Sequence, residues 1–176
     1  MPRRWFSIPC LDFQSILART GKLLTGVVRN IYTSKSETLE LTPLGFYIDA
    51  ILFPSPRFAE FEKPIGGNRL LLGPFCGKPA CQYISVAPGK AKGACADAYT
   101  QRKTLVVPEV DLYPGHIACD GETKSEIVVP LIYSRLSESV VLGVLDLDCL
   151  AVNAFNKEDK EGLERIAQLV VKSCDW

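Results

Sequence analysis

Val140-Val141-Leu142-Gly143-Val144-Leu145-Asp146-Leu147-Asp148 is the stretch on which the architecture turns. Residues 140–147 form a nearly unbroken apolar run, split by Gly143, with the β-branched content of a strand. Successive strand side chains point to opposite faces, so Leu145 and Leu147 share one face and Asp146 and Asp148 the other. Upstream stands a second run, Ile127-Val128-Val129-Pro130-Leu131-Ile132, and the residues between, 134–139, are polar. Two such runs with a short polar connection predict an antiparallel hairpin. Glu126 begins the partner strand, where this pairing would bring it near the two aspartates. Three carboxylates beside apolar runs are costly to bury without a cation, which makes them candidates for raised pKa values. Spacing alone leaves open the alternative that these strand ends simply emerge into solvent.

Working outward, Asn156 can cap a closing helix with Asp159 three residues later, and Leu163, Ile166, Ala167 and Val170 form its apolar stripe. Near the other end, Leu23, Leu24, Val27, Val28 and Ile31 recur at helical spacing. Between the helices, residues 45–48, 70–72, 82–86 and 104–107 read as short strands bounded by Gly, Pro or polar residues. The stretch between the first two carries several Pro and Gly together with Phe53, Phe58 and Phe61, and reads as an ordered loop. The order helix, strands, mixed middle, hairpin, closing helix predicts an α+β fold: a central antiparallel sheet with helices packed on its faces. There is no internal repeat, low-complexity segment or linker. A chain of 176 residues, 47% of them apolar, is expected to be one domain, residues 1–176, with 1–40 as an N-terminal helical segment.

Composition narrows the function classes. Twenty basic and twenty acidic residues cancel, without a block of like charge, so neither nucleic acid nor a membrane surface is an expected partner. The apolar runs fall far short of the roughly 18 residues of a spanning helix. Arg3 and Arg4 precede Trp5 and Phe6, but Pro9 and Asp12 interrupt the run before it reaches signal-peptide length. A cytoplasmic protein is therefore expected. Seven cysteines, an odd number, argue against a static disulfide framework. Cys76 and Cys81 have acceptable zinc-ligand spacing, yet no second Cys/His pair follows and His116 is the single histidine, so no metal is expected. His116 could activate a thiol or merely close the turn after Pro114-Gly115.

Four cysteines fall within residues 76–119, among turn signals. A thiolate can attack an electron-poor sulfur, and a second thiol can resolve the resulting sulfenic acid as a disulfide. The plain alternative is that each is a small buried hydrophobe. The segment Tyr113-Pro114-Gly115-His116-Ile117-Ala118-Cys119-Asp120-Gly121-Glu122-Thr123-Lys124-Ser125-Glu126-Ile127-Val128-Val129-Pro130 resembles the signature block of the free methionine-(R)-sulfoxide reductases, the fungal ones in particular. Three further pieces agree: Leu71-Leu72-Gly73-Pro74-Phe75 with Gly77-Lys78-Pro79-Ala80-Cys81, then Gly143-Val144-Leu145-Asp146-Leu147-Asp148, and the terminal Lys172-Ser173-Cys174. The resemblance implies a GAF-type fold and reduction of free L-methionine-(R)-sulfoxide by thiol, sulfenic acid and disulfide chemistry. It implies thioredoxin as the external reductant, no cofactor, and a fold that allows a homodimer. Carried over residue by residue, Cys119 is the nucleophile, Cys81 or Cys95 resolves, and Glu126, Asp146, Asp148 and Tyr47 bind substrate.

The chain departs from the family pattern in places. Thr42-Pro43-Leu44 stands where a Trp usually precedes Gly45-Phe46-Tyr47, and the stretch between Cys81 and Cys95 is longer than usual. Ala96-Asp97 replaces the usual Gly-Thr after Cys95, and a carboxylate there is expected to raise that thiol's pKa. These departures define the alternative function: a catalytically weakened GAF module that binds a small amino-acid-like ligand.

Overall fold

The structure, a computed structural model, describes residues 41–49, 68–76, 80–135 and 138–173, and for 41–49, 73–76 and 135 the backbone only. The helix expected around Leu23 to Ile31 and the loop with Phe53, Phe58 and Phe61 lie outside the described residues.

The predicted hairpin forms and is longer than its apolar runs. Strands β5 (Ser125–Arg135) and β6 (Glu138–Cys149) pair from Ser125↔Cys149 to Arg135↔Glu138. The polar stretch 134–139, expected to be connection, is thus mostly strand. Ladder hydrogen bonds are backbone bonds, so polar side chains at a solvent-facing strand end do not interrupt them. Around this hairpin the sheet grows by β1 (Leu41–Asp49), β2 (Arg69–Cys76) and β3 (Tyr83–Ser85) on the β6 side and by β4 (Leu105–Val107) on the β5 side. The order is β3-β2-β1-β6-β5-β4, antiparallel at every described pairing.

Strand parity then sorts the core into two layers. Ile127, Val129, Leu131, Leu145 and Leu147 face one side, where they pack with Leu163, Ile166, Ala167 and Val170 of the closing helix. A register shift between Leu131 and Ile132 lets Leu142 join the same layer despite its even number. Val128 and Val144 face the other side and pack with Leu70, Ile84, Val86 and Val107.

Helix α1 (Ala94–Gln101) covers that second face, and the sequence did not announce it. Its buried residues are Ala94, Cys95, Ala96 and Ala98, small side chains that allow close approach to the sheet but leave no stripe of large apolar residues to detect. It begins after Gly93, whose φ of 84° suits glycine, and ends at Arg102 in the left-handed region. Helix α2 (Lys157–Ser173) starts as predicted. The Asn156 N–H donates to Asp159 Oδ2 at 2.8 Å and the Asp159 N–H donates to Asn156 Oδ1 at 3.0 Å, a reciprocal capping box. Among the described residues no helix is long and apolar enough to cross a membrane.

Candidate active site

The parity that sends Leu145 and Leu147 beneath α2 sends Asp146 and Asp148 to the α1 face. Asp148 is the register partner of Glu126, and Asp146 that of Val128, so the three carboxylates occupy neighbouring positions on the two central strands. α1 brings Cys95 down upon them, its Sγ 3.9 Å from Glu126 Oε1. The alternative in which these strand ends emerge into solvent does not hold for Glu126 and Asp146, 6% and 9% exposed; Asp148 is half-buried.

A loop closes the site from above. After a 3-10 turn at Val110–Leu112 it runs from Tyr113 through Gly115, where φ is 75° and the backbone passes Lys92 and Gly93, to Cys119. The Tyr113 hydroxyl donates to Asp97 Oδ2 at 2.7 Å, which ties the loop to α1. His116 is half-buried beside the cavity, and its backbone N–H donates to the Tyr113 carbonyl, closing the turn through Pro114 and Gly115. Cys119 is joined by a disulfide to Cys81 at the approach to β3, with a Cα–Cα distance of 5.1 Å. Cys81 is therefore engaged with Cys119 and not paired with Cys76 as a zinc ligand set. Cys95 stands outside the bridge, buried. Cys149 lies in the core under α2, the small buried hydrophobe that composition allowed.

Cys81, Cys95, Cys119, His116, Glu126, Asp146 and Asp148 all line one cavity of about 80 Å³. Tyr47 lies in β1 opposite Leu72 and Val144; its side chain is outside what is described.

The electrostatics follow from this enclosure. Burial pushes Glu126 from its ordinary 4.5 up to about 7. Burial, then repulsion from Glu126 and Asp120, lifts Asp148 from 3.8 to about 8. Asp146 is pushed well up by burial and by both neighbouring carboxylates. No ion pair among the described residues involves any of the three. The Cys95 thiol is also held well above its ordinary value, first by burial and then by Asp146, Glu126 and Asp148. Asp97, expected to act on Cys95, is not among those causes; it is turned to Tyr113. At neutral pH the cavity therefore holds carboxylic acids able to donate a proton, and a bound cation would draw them towards their ionised form.

Two participants were not foreseen. Thr123 lines the cavity with a buried hydroxyl that makes no hydrogen bond, and Asp120 adds its charge from the turn after Cys119. Both fall within the signature segment, but isolated polar residues in a loop carry no periodicity that reports burial.

Comparison with known proteins bears on this site. Residues 50–173 match the GAF domain family. The free methionine-R-sulfoxide reductase of Saccharomyces cerevisiae is 53% identical over 107 residues, 61% of this chain and only 56% of the yeast protein. The Escherichia coli protein of the same name is 40% identical over 168 residues, 94% of this chain and 87% of its own length. The structure of the free methionine-R-sulfoxide reductase from Neisseria meningitidis in complex with its substrate is similar with a TM-score of 0.60 and 29% identity, covering 91% of this chain and 82% of that one. With a domain match over most of its length and a bacterial relative aligned nearly end to end, the chain belongs to the GAF-domain proteins and, among them, to the free methionine-(R)-sulfoxide reductase family.

Proposed function

We propose that this protein reduces free L-methionine-(R)-sulfoxide to L-methionine in the cytoplasm, with thioredoxin restoring its thiols. The observation that carries the reading is a Cys81–Cys119 disulfide in the wall of a small acidic cavity that also holds Cys95. The family relationship supports the substrate.

In this reading the Cys119 thiolate attacks the sulfoxide sulfur and gives up two electrons. A carboxylic acid kept protonated by burial supplies a proton to the departing oxygen, and Glu126 and Asp148, with pKa values near 7 and 8, are matched to that task. Oxygen passes to Cys119 as a sulfenic acid, and methionine leaves. Cys81 then displaces that oxygen as water and forms the disulfide, its Cα already within bridging distance of Cys119. Thioredoxin reduces the bridge by exchange. Cys95, deeper and more strongly shielded, is the reserve resolving thiol. The acid groups that ionise hold the substrate ammonium, which methionine within a polypeptide lacks, and this selects the free amino acid. Tyr47 remains in the proposal as a substrate-binding residue on the strength of family resemblance.

A thioredoxin-coupled NADPH assay with the separate epimers tests the reading. Turnover of the R epimer alone, lost in Cys119→Ser, is expected. Tight binding of methionine sulfoxide without turnover by the wild type would favour the binding module. Peptide mapping after one turnover should find Cys81 bridged to Cys119.

A further inference from the structure

The depth of the cavity has a donor set of its own. Cys95 Sγ, one oxygen of Glu126 and one of Asp146 all lie within 4.8 Å of one another, and each residue is more than nine-tenths buried. Three buried polar atoms of residues lining the same cavity lack a partner: Asp120 Oδ2, Asp146 Oδ1 and Thr123 Oγ1 make no hydrogen bond. A buried acceptor without a donor is destabilising, and Asp146 Oδ1 belongs to a cluster that is anionic once ionised. A cation bound there would draw the cluster into its ionised form and give the orphaned oxygen a partner.

The ligand types decide which cation. Calcium and magnesium require six or more oxygens, or waters in their place, and gain nothing from sulfur. One thiolate with two carboxylates suits a borderline dication of the zinc class, which accepts S and O ligands tetrahedrally at distances of about 2.0–2.3 Å. The Cys95 thiol donates to Glu126 Oε1 at 3.9 Å, and a shift of a few tenths of an ångström brings the pair to the ~3.5 Å that tetrahedral ligands of one such ion adopt. A fourth position would be left for water.

We propose that Cys95, Glu126 and Asp146 form an inhibitory site for a thiophilic divalent cation of the zinc class, which occupies the cavity in place of the substrate ammonium. The ion displaces the thiol proton and the carboxyl protons, and no electrons are exchanged. Because Cys95 lies outside the Cys81–Cys119 bridge, the site exists in the disulfide form as well. The inhibitory consequence rests on the reductase reading; the binding itself does not.

The test uses the full chain in its disulfide form and Cd²⁺ as a spectroscopic substitute for Zn²⁺. A sulfur-to-cadmium charge-transfer band is expected, smaller by one thiolate in Cys95→Ser. Other cysteines are controlled by that difference, and circular dichroism checks that each variant is folded. Glu126→Gln and Asp146→Asn should each weaken the Cys95-dependent component by about tenfold or more, a loss that even outer-shell partners of a metal cause. Free methionine sulfoxide should displace the ion, and Zn²⁺ should inhibit wild-type turnover competitively and reversibly with EDTA. An identical band in wild type and Cys95→Ser overturns the proposal even if R-specific turnover is found. A Cys95-dependent band in a protein with no turnover leaves the metal site standing and removes the reductase reading with its inhibition.

Discussion

Glu126 and Asp148 sit directly opposite each other on adjacent strands, a placement that two carboxylates tolerate poorly when ionised. Their folded-state pKa values of about 7 and about 8 lie above the ordinary 4.5 and 3.8. Between these limits the native state binds more protons than the unfolded chain, so stability present below about pH 4 is lost as pH rises towards 8. The ligand-free protein should therefore show Glu126→Gln gaining more in melting temperature over wild type at pH 8 than at pH 5; an equal gain at both would refute the assignment. A change of 1 kcal/mol moves the melting point of a chain this size by roughly 2–4 °C, so the effect is readable. In the proposed mechanism Asp148→Asn keeps the shape and removes one of the two carboxylic acids matched to protonating the departing oxygen. Loss of a positioned acid should lower kcat by up to roughly a hundredfold with KM little changed, measured by steady-state kinetics with the R epimer. At this scale the sequence was legible where alternation reports a face: Asp146 and Asp148 opposite Leu145 and Leu147. It was not legible where a partner comes from another element. Asp97 looked like a neighbour of Cys95, two residues away, yet a helix rotates successive side chains apart and delivers Asp97 to Tyr113.

Elements differed in legibility for a related reason. α2 has a cap and a stripe of large apolar residues, so both its start and its buried face could be read from the chain. Asn156→Ala removes one arm of its capping box and should cost about 1 kcal/mol, seen as a fall of roughly 2–4 °C in the thermal midpoint. α1 buries alanines and a cysteine, which look the same in a helix, a turn or a loop, and its glycine start gives no side-chain cap to recognise. The Tyr113–Asp97 bond joins this helix to the Cys119 loop. In Tyr113→Phe the ring keeps its packing and the bond is lost, so amide exchange at His116 and its neighbours should accelerate while the exchange of β5 and β6 stays as in wild type. Uniform acceleration throughout would mean that the hydroxyl supports the whole fold instead of the loop.

For the whole molecule, strand order and the two-layer core could be anticipated as a class but not in register. The order β3-β2-β1-β6-β5-β4 depends on which edges meet across connections of very different length, and local patterns do not encode that choice. The bridge between cysteines distant in sequence is a case in point: the chain left Cys81 and Cys95 open as partners of Cys119, and Cys81 and Cys119, 38 residues apart, meet because β3 and the Cys119 loop border the same cavity. Closing a loop of that length constrains the unfolded chain by about 4 kcal/mol in the chain-entropy account, so the oxidised protein should unfold at clearly higher urea than the Cys81→Ser, Cys119→Ser double variant. The sheet also divides labour. Leu145 and Asp146 are neighbours in the chain but belong to opposite layers, one mechanical and one chemical. Random substitutions that repack the α2 side can accumulate without disturbing the acidic hollow, provided the strands keep their alternation, while a residue inserted or deleted in β6 without a compensating bulge exchanges the two layers beyond it. Drift by replacement is open to this lineage; insertion into that strand is open only where a bulge absorbs it, as at Leu142.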